Sequence, residues 1–109
     1  MKSIFLKYEE TTTKKINPFM ERRILTHSEQ LMMVEVTLKK DGVIPMHNHV
    51  HEQMTHILTG TYEFEVDGKQ MILAKGDTAY MPSNVFHRVT CLESGTFIDV
   101  FTPARKDFL

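Results

Sequence analysis

The sequence contains no tryptophan, only one cysteine and no long apolar run among its 109 residues. With Cys91 alone, no disulfide can form within the chain, and a free thiol is typical of a reducing compartment, so we expect the cytoplasm. A membrane-spanning helix needs about 20 consecutive apolar residues, and none are present. Met1–Tyr8 is too short and too polar for a signal peptide. No membrane partner is therefore expected.

An excess of charge of one sign is also missing. The chain has 13 basic and 14 acidic side chains, which are well mixed and give a net charge of about −1. Because no basic stripe occurs, we do not expect nucleic acid as a partner. The length and the hydrophobic fraction of 41% predict a single domain over residues 1–109, with a small core.

What the sequence does contain is a series of short alternating runs separated by turn residues. The predicted strands are Gln30–Leu38, Gln53–Thr59, Thr61–Val66, Gln70–Leu73, Thr78–Met81, His87–Cys91 and Thr96–Thr102. Asp67-Gly68 is a strong hairpin signal, since both residue types tolerate positive φ. We also interpret Lys2–Lys7 as a strand that pairs elsewhere, including on another subunit. The pattern favours an all-β barrel or sandwich.

Histidines at alternate positions are the most prominent chemical feature. His47, His49 and His51 alternate, and Gln53 continues their parity. Alternate side chains of an extended strand share a face. Such a polar row is a poor core but a good metal site, because a cation partners buried polar groups. Imidazole suits Zn, Fe, Ni, Cu and, with oxygen ligands, Mn. The row alone is equally consistent with a solvated, histidine-rich edge.

A second pattern runs from Gly76 to His87. It predicts a turn, a strand stopped by Pro82, another turn at Asn84, and His87 at the start of the next strand. Asparagine tolerates the left-handed conformation that such a turn requires. Taken alone, a histidine in this position is usually structural.

Together the two patterns resemble the motifs of the cupin family. The first motif is Gly, a spacer, His-x-His, a spacer, Glu and Gly, and it is matched by Gly42, His47, His49, Gln53 and Gly60. The second is Gly-x5-Pro-x-Gly-x2-His-x3-Asn, matched by Gly76, Pro82, Asn84, His87 and Cys91. Asn84 and Cys91 depart from it, and the spacer after Gly42 is a residue short. The resemblance implies a cupin double-stranded β-helix, or jelly-roll barrel, in which His47, His49, Gln53 and His87 hold one divalent metal ion.

Gln53 stands where the cupin motif has a glutamate. A neutral amide oxygen can still coordinate, but it leaves more of the ion's positive charge uncompensated than a carboxylate would. That favours binding of an anionic oxygen such as an enolate or alkoxide.

Two stretches, Pro45–Gln53 and Ile98–Leu109, resemble more narrowly the KdgF group of small cupins from pectin and alginate breakdown. Members of that group convert 4,5-unsaturated monouronates, which are small anionic sugars, from the ring to the linear keto form. The resemblance implies a homodimer, one Ni, Zn, Mn or Fe ion, and working residues at Asp99, Phe101 and Arg105.

The chemistry of these residue types is consistent with that role. Phe97, Asp99 and Phe101 share one face of a predicted strand, where desolvation would raise the pKa of Asp99 and suit it to general acid/base work. The planar fork of Arg105 suits a carboxylate. The alternative for Asp99 is a position on the outer sheet surface, which is common. The alternative for Arg105 is a solvated tail, which is the preferred interpretation when the resemblance is set aside.

Two other functions are compatible with the same ligand set. One is a metal-dependent small-molecule dioxygenase, and the other is a small-molecule-binding module without catalysis.

Apolar side chains in excess of the core predict contact with a partner subunit. Met54, His56 and Leu58 face away from the ligand side of their strand. A second apolar face is formed by Met32, Val34, Val36 and Leu38.

Overall fold

The computed structural model describes residues 4–109, and strands account for most of them. The strands are β1 (Thr13–Asn17), β2 (Met20–His27), β3 (Met32–Leu38), β4 (Val43–His47), β5 (Glu52–Ile57), β6 (Thr61–Val66), β7 (Lys69–Leu73), β8 (Thr78–Met81), β9 (His87–Glu93) and β10 (Gly95–Thr102). Short 3₁₀ turns occur at Tyr8–Glu10 and Lys106–Phe108. No helix in this part of the chain is long and apolar enough to cross a membrane.

The strands form two antiparallel sheets. One has six strands in the order β1-β2-β3-β10-β5-β8, and the other has four in the order β4-β9-β6-β7. Consecutive strands β3, β4, β5 and β6 alternate between the sheets, so the chain crosses repeatedly from one layer to the other. The all-β prediction is confirmed.

The core lies between the two sheets and follows the two-residue period of the strands. On β3, Met32, Val34, Val36 and Leu38 are all buried while Met33 is exposed. Across the layers, the Phe97 ring of the six-stranded sheet lies 5.2 Å from the Tyr62 ring of the four-stranded sheet, perpendicular to it. The expectation that this face of β3 is available to a partner subunit is therefore wrong, because the second sheet covers it.

Turn residues adopt the conformations that their types predict. In the β6–β7 hairpin, Asp67 and Gly68 have φ values of 52° and 77°, as the Asp-Gly signal requires. Asn84 has a φ of 67° in the turn that precedes β9. That turn sets the direction in which His87 enters its strand.

All strands predicted between Gln30 and Thr102 occur, with ends shifted by two residues at most. Three further strands, β1, β2 and β4, were not predicted. Every residue of β1 is exposed, so no apolar alternation marks it. The strand expected at Lys2–Lys7 lies partly outside the described residues, and residues 4–7 form no strand.

Candidate metal centre

His47 and His87 meet through direct strand pairing. They are opposite each other where β4 pairs with β9, so their side chains leave the same face of the four-stranded sheet. Their ring centroids are 4.3 Å apart. The two histidine motifs, which are distant in the sequence, are thus joined by one cross-strand pair.

His49 lies in the loop of residues 48–51 between β4 and β5. The backbone N–H of Asn84 donates to the carbonyl oxygen of His49 at 2.8 Å, and the Asn48 amide donates to the carbonyl oxygen of Asn84 at 3.2 Å. These bonds tie the loop to the turn before His87, and the rings of His49 and His87 come to 4.9 Å. The expectation that His47 to Gln53 form one extended strand is wrong, because the chain crosses between the sheets here.

The three histidines form a cluster whose candidate ligand atoms all lie within 4.8 Å of one another. In each ring, Nδ1–H donates to a carbonyl oxygen two residues away: that of Pro45 at 2.7 Å, of His51 at 2.9 Å and of Val85 at 3.1 Å. The Nε2 atoms therefore keep their lone pairs. This is the arrangement in which imidazoles bind metal ions.

Burial supports the same conclusion. It lowers the pKa of His87 to about 4, and it also lowers the pKa of His49, so both rings are neutral near pH 7. The Nε2 atom of His87 is buried without a hydrogen-bond partner in the described structure. A cation would supply that missing partner.

Gln53 extends the cluster from the opposite sheet. Its Oε1 atom lies 3.0 Å from His49 Nε2, and its Nε2 donates to Thr55 Oγ1 at 3.2 Å. Because the Thr55 hydroxyl donates its only hydrogen to Asp99 at 2.6 Å, a flipped amide would face an acceptor. Two acceptors, Gln53 Oε1 and His49 Nε2, therefore face each other, and a divalent ion coordinated by both would give each lone pair a partner. Ligation by Gln53 stays a prediction.

Asp99 lies on the inner face of β10 and is only 6% exposed, so its placement on an outer sheet surface is excluded. Burial raises the pKa of its carboxyl group to about 6. Hydrogen bonds from Thr55 and Gln53 and the positive charge of Arg105 partly oppose that rise. The group can therefore exist in both protonation states near neutral pH.

Arg105 is not a solvated tail residue. Its Nε and Nη2 atoms donate to Asp107 at 3.1 and 2.9 Å, and its guanidinium lies over the rings of Phe101 and Phe108. The side chain borders a cavity of about 340 Å³. Its walls also include His47, Gln53, His87, Asp99 and Phe101.

His51 is outside the histidine cluster but supports it. Its carbonyl oxygen accepts the Nδ1–H bond of His49, and its ring packs against His49 and Phe101. Sequence reasoning missed two polar residues at the same cavity, Thr55 and Arg22. Arg22 interrupts an apolar face of β2, between Met20 and Ile24. Thr55 lies between Gln53 and Ile57 on the inward face of β5. Polar residues at such inward positions are the signal that could have revealed them.

Comparison with known proteins shows the protein family. A family model described as "Cupin domain" matches residues 34–101, so the chain belongs to the cupin family. Within it, the chain is 36% identical over 103 residues to the pectin degradation protein KdgF of Dickeya dadantii (strain 3937), covering 93% of this chain and 94% of that protein. The predicted cupin fold and the resemblance to KdgF are confirmed.

Two solved structures of small cupins superpose closely on this chain. An RmlC-like cupin from Shewanella frigidimarina NCIMB 400 superposes with a TM-score of 0.95 at 31% identity, covering 99% of this chain and 97% of that one. KdgF from Halomonas sp. gives a TM-score of 0.93 at 30% identity, covering 99% of this chain and all of the other.

Proposed function

We propose that this protein is a metal-dependent enzyme that promotes ring opening and ketonisation of 4,5-unsaturated monouronates in pectin or alginate breakdown. The observation that carries the proposal is one cavity that combines a histidine cluster suited to a cation with a buried, protonatable Asp99. Similarity to KdgF proteins, one of which is named as a pectin degradation protein, supports the substrate class.

His47, His49, Gln53 and His87 would hold the ion, which we expect to be Ni, Zn, Mn or Fe. A bound divalent ion supplies electrostatic stabilisation of negative charge on a substrate oxygen. All four donors would be neutral, since an imidazole binds a metal ion in its uncharged form and Gln53 replaces a carboxylate. These ligands would therefore leave the ion's positive charge available to the substrate.

Asp99 carries the proton in this scheme. Ring opening breaks the bond between C1 and the ring oxygen, while the C1 hydroxyl loses a proton and becomes a carbonyl. The ring oxygen is left as an enolate, which becomes a ketone when C4 takes up a proton. Asp99 would accept the first proton and deliver the second, so the overall reaction is an isomerisation.

Phe101 and Arg105 position the sugar. The buried ring of Phe101 offers an apolar contact for one face of the sugar. Arg105 pairs with the carboxylate through Nη1, which makes no hydrogen bond within the described residues, while Asp107 occupies its other edge.

The test is the loss of ultraviolet absorbance from the C4–C5 double bond, measured against the spontaneous rate. We expect metal-loaded protein to accelerate it, and chelator-treated protein to match the spontaneous rate. Absence of acceleration with every one of the four metals would refute the proposal. Oxygen uptake by the ferrous protein with the same sugar would instead favour a dioxygenase.

A further inference from the structure

Arg22 occupies an inward position on β2, between Met20 and Ile24 in the alternation of that strand. It pairs directly with Val36 of β3, which in turn pairs with Phe97 of β10. Val36 and Phe97 are both buried and line the cavity of the candidate metal centre. A charged side chain at such a position needs an explanation, because the inner face of a sheet normally carries apolar residues.

The guanidinium of Arg22 binds no carboxylate directly: the charge of Asp107, which pairs with Arg105, acts on Arg22 without an ion pair. Its central carbon lies 3.7 Å from the centroid of the Phe108 ring, but within the described residues it makes no hydrogen bond or ion pair. The other arginines each have a carboxylate: Arg23 is near Glu35, Arg88 binds Glu65, and Arg105 binds Asp107. Arg22 is therefore the arginine whose planar donor edges are unused.

A second cation lies at the same place. The guanidinium of Arg105 contacts the Phe108 ring that Arg22 contacts, at 4.2 Å from the centroid. Burial and the charge of Arg105 lower the pKa of Arg22, and the charge of Asp107 opposes this only in part. Two partly buried like charges at one end of a cavity repel each other, and an anion between them would relieve that repulsion.

We propose that Arg22 is a second carboxylate-binding residue of this cavity, which selects acidic sugars over neutral ones together with Arg105. A guanidinium matches a carboxylate by two parallel hydrogen bonds, whereas an ammonium does not. The residue also lines a neighbouring cavity of about 450 Å³. Only the choice of a uronate as ligand rests on the proposed function.

The test compares binding of two unreactive probes, galacturonate and its neutral parent galactose, by calorimetry. In Arg22→Gln, we expect galacturonate to bind about tenfold or more weakly, while galactose binding stays within about twofold. Arg22→Lys should recover only part of the loss. Arg88→Gln is the matched control, because it removes the same charge and residue type from the outer face of β9 and should bind galacturonate as the wild type does.

Equal galacturonate binding in Arg22→Gln and Arg88→Gln would overturn the proposal, and so would a wild type that binds both sugars equally. A parallel loss of galactose binding in Arg22→Gln would also overturn it, since that indicates a damaged fold rather than a lost anion site. If the wild type fails to accelerate double-bond loss but the charge-selective difference remains, the proposed reaction is refuted and the carboxylate site stands.

Discussion

Gln53 and Asp99 are connected through the hydroxyl group of Thr55, and this hydrogen-bond chain fixes the orientation of the Gln53 amide. The amide nitrogen of Gln53 faces the Thr55 hydroxyl, which itself donates to Asp99. A glutamate at position 53 would turn a carboxylate oxygen toward that acceptor and toward a second carboxylate, where only a donor fits. The departure from the cupin motif is thus explained by the residues behind it: Thr55 and Asp99 require an amide, and the amide oxygen is held toward the histidines.

Substitution of Asp99 tests its role as proton carrier. Asp99→Asn keeps the shape of the side chain but cannot exchange a proton, so we expect kcat to fall by about a hundredfold or more. Galacturonate binding should change by less than about threefold, because Arg105 and Arg22 carry the charge contact. Asp67→Asn, the same change in an exposed hairpin turn, should leave both unchanged. Full activity of Asp99→Asn would remove the aspartate from the mechanism.

At the scale of elements, β10 contributes both to the core and to the candidate metal centre. It lies between β3 and β5 in the six-stranded sheet. Some of its inward side chains pack in the core, and others line the cavity. Phe97 packs on Tyr62 and Phe64 of the other sheet, and Asp99 follows one step further toward the cavity. The strand thus links the stability of the sandwich to the position of its reactive group.

The contribution of β10 to packing can be measured with paired Phe→Ala variants. Phe97→Ala empties the space between the two sheets, and we expect it to lower the free energy of unfolding by about 3–5 kcal/mol. Phe86→Ala removes the same ring from an exposed position and should cost less than about 1 kcal/mol. Equal midpoints in urea denaturation for the two variants would contradict this view of the core.

The sequence predicted the elements whose alternation is strong and the residues that match a motif. It identified β6 and β8 to the residue, because Tyr62 and its neighbours alternate cleanly and Pro82 stops β8. It placed the histidine row on a single strand because parity in a sequence does not show where a chain crosses between sheets. Arg22 was missed because β2 was not predicted. Its neighbour at the sheet edge, β1, is exposed at every residue, and β2 itself has two consecutive arginines that obscure its alternation.

At the scale of the whole molecule, the outer face of the six-stranded sheet is apolar along one row. Met33 pairs with Val100, Val100 with Met54, and Met54 with Tyr80, so these side chains cross four strands on the exposed side. Met54 is 60% exposed. A continuous apolar row of this kind is typical of a contact between identical subunits.

A homodimer stays a prediction, and this apolar row is where we expect the two subunits to contact each other. We expect light scattering at micromolar concentration to give twice the 12.7 kDa mass of the chain. Met54→Glu should shift the protein to the monomer, since it places a charge in the middle of the row. A wild type that is monomeric, or a Met54→Glu variant that remains a dimer, would show that this face is not the contact.

The central claim is that the histidine cluster holds a divalent metal ion, and metal content measured by mass spectrometry tests it most directly. We expect the wild type to carry close to one ion per chain and His49→Ala to lose most of it. His56→Ala, which removes a histidine from the exposed outer face of β5, should retain the wild-type content. Equal occupancy in the wild type and His49→Ala would contradict the account.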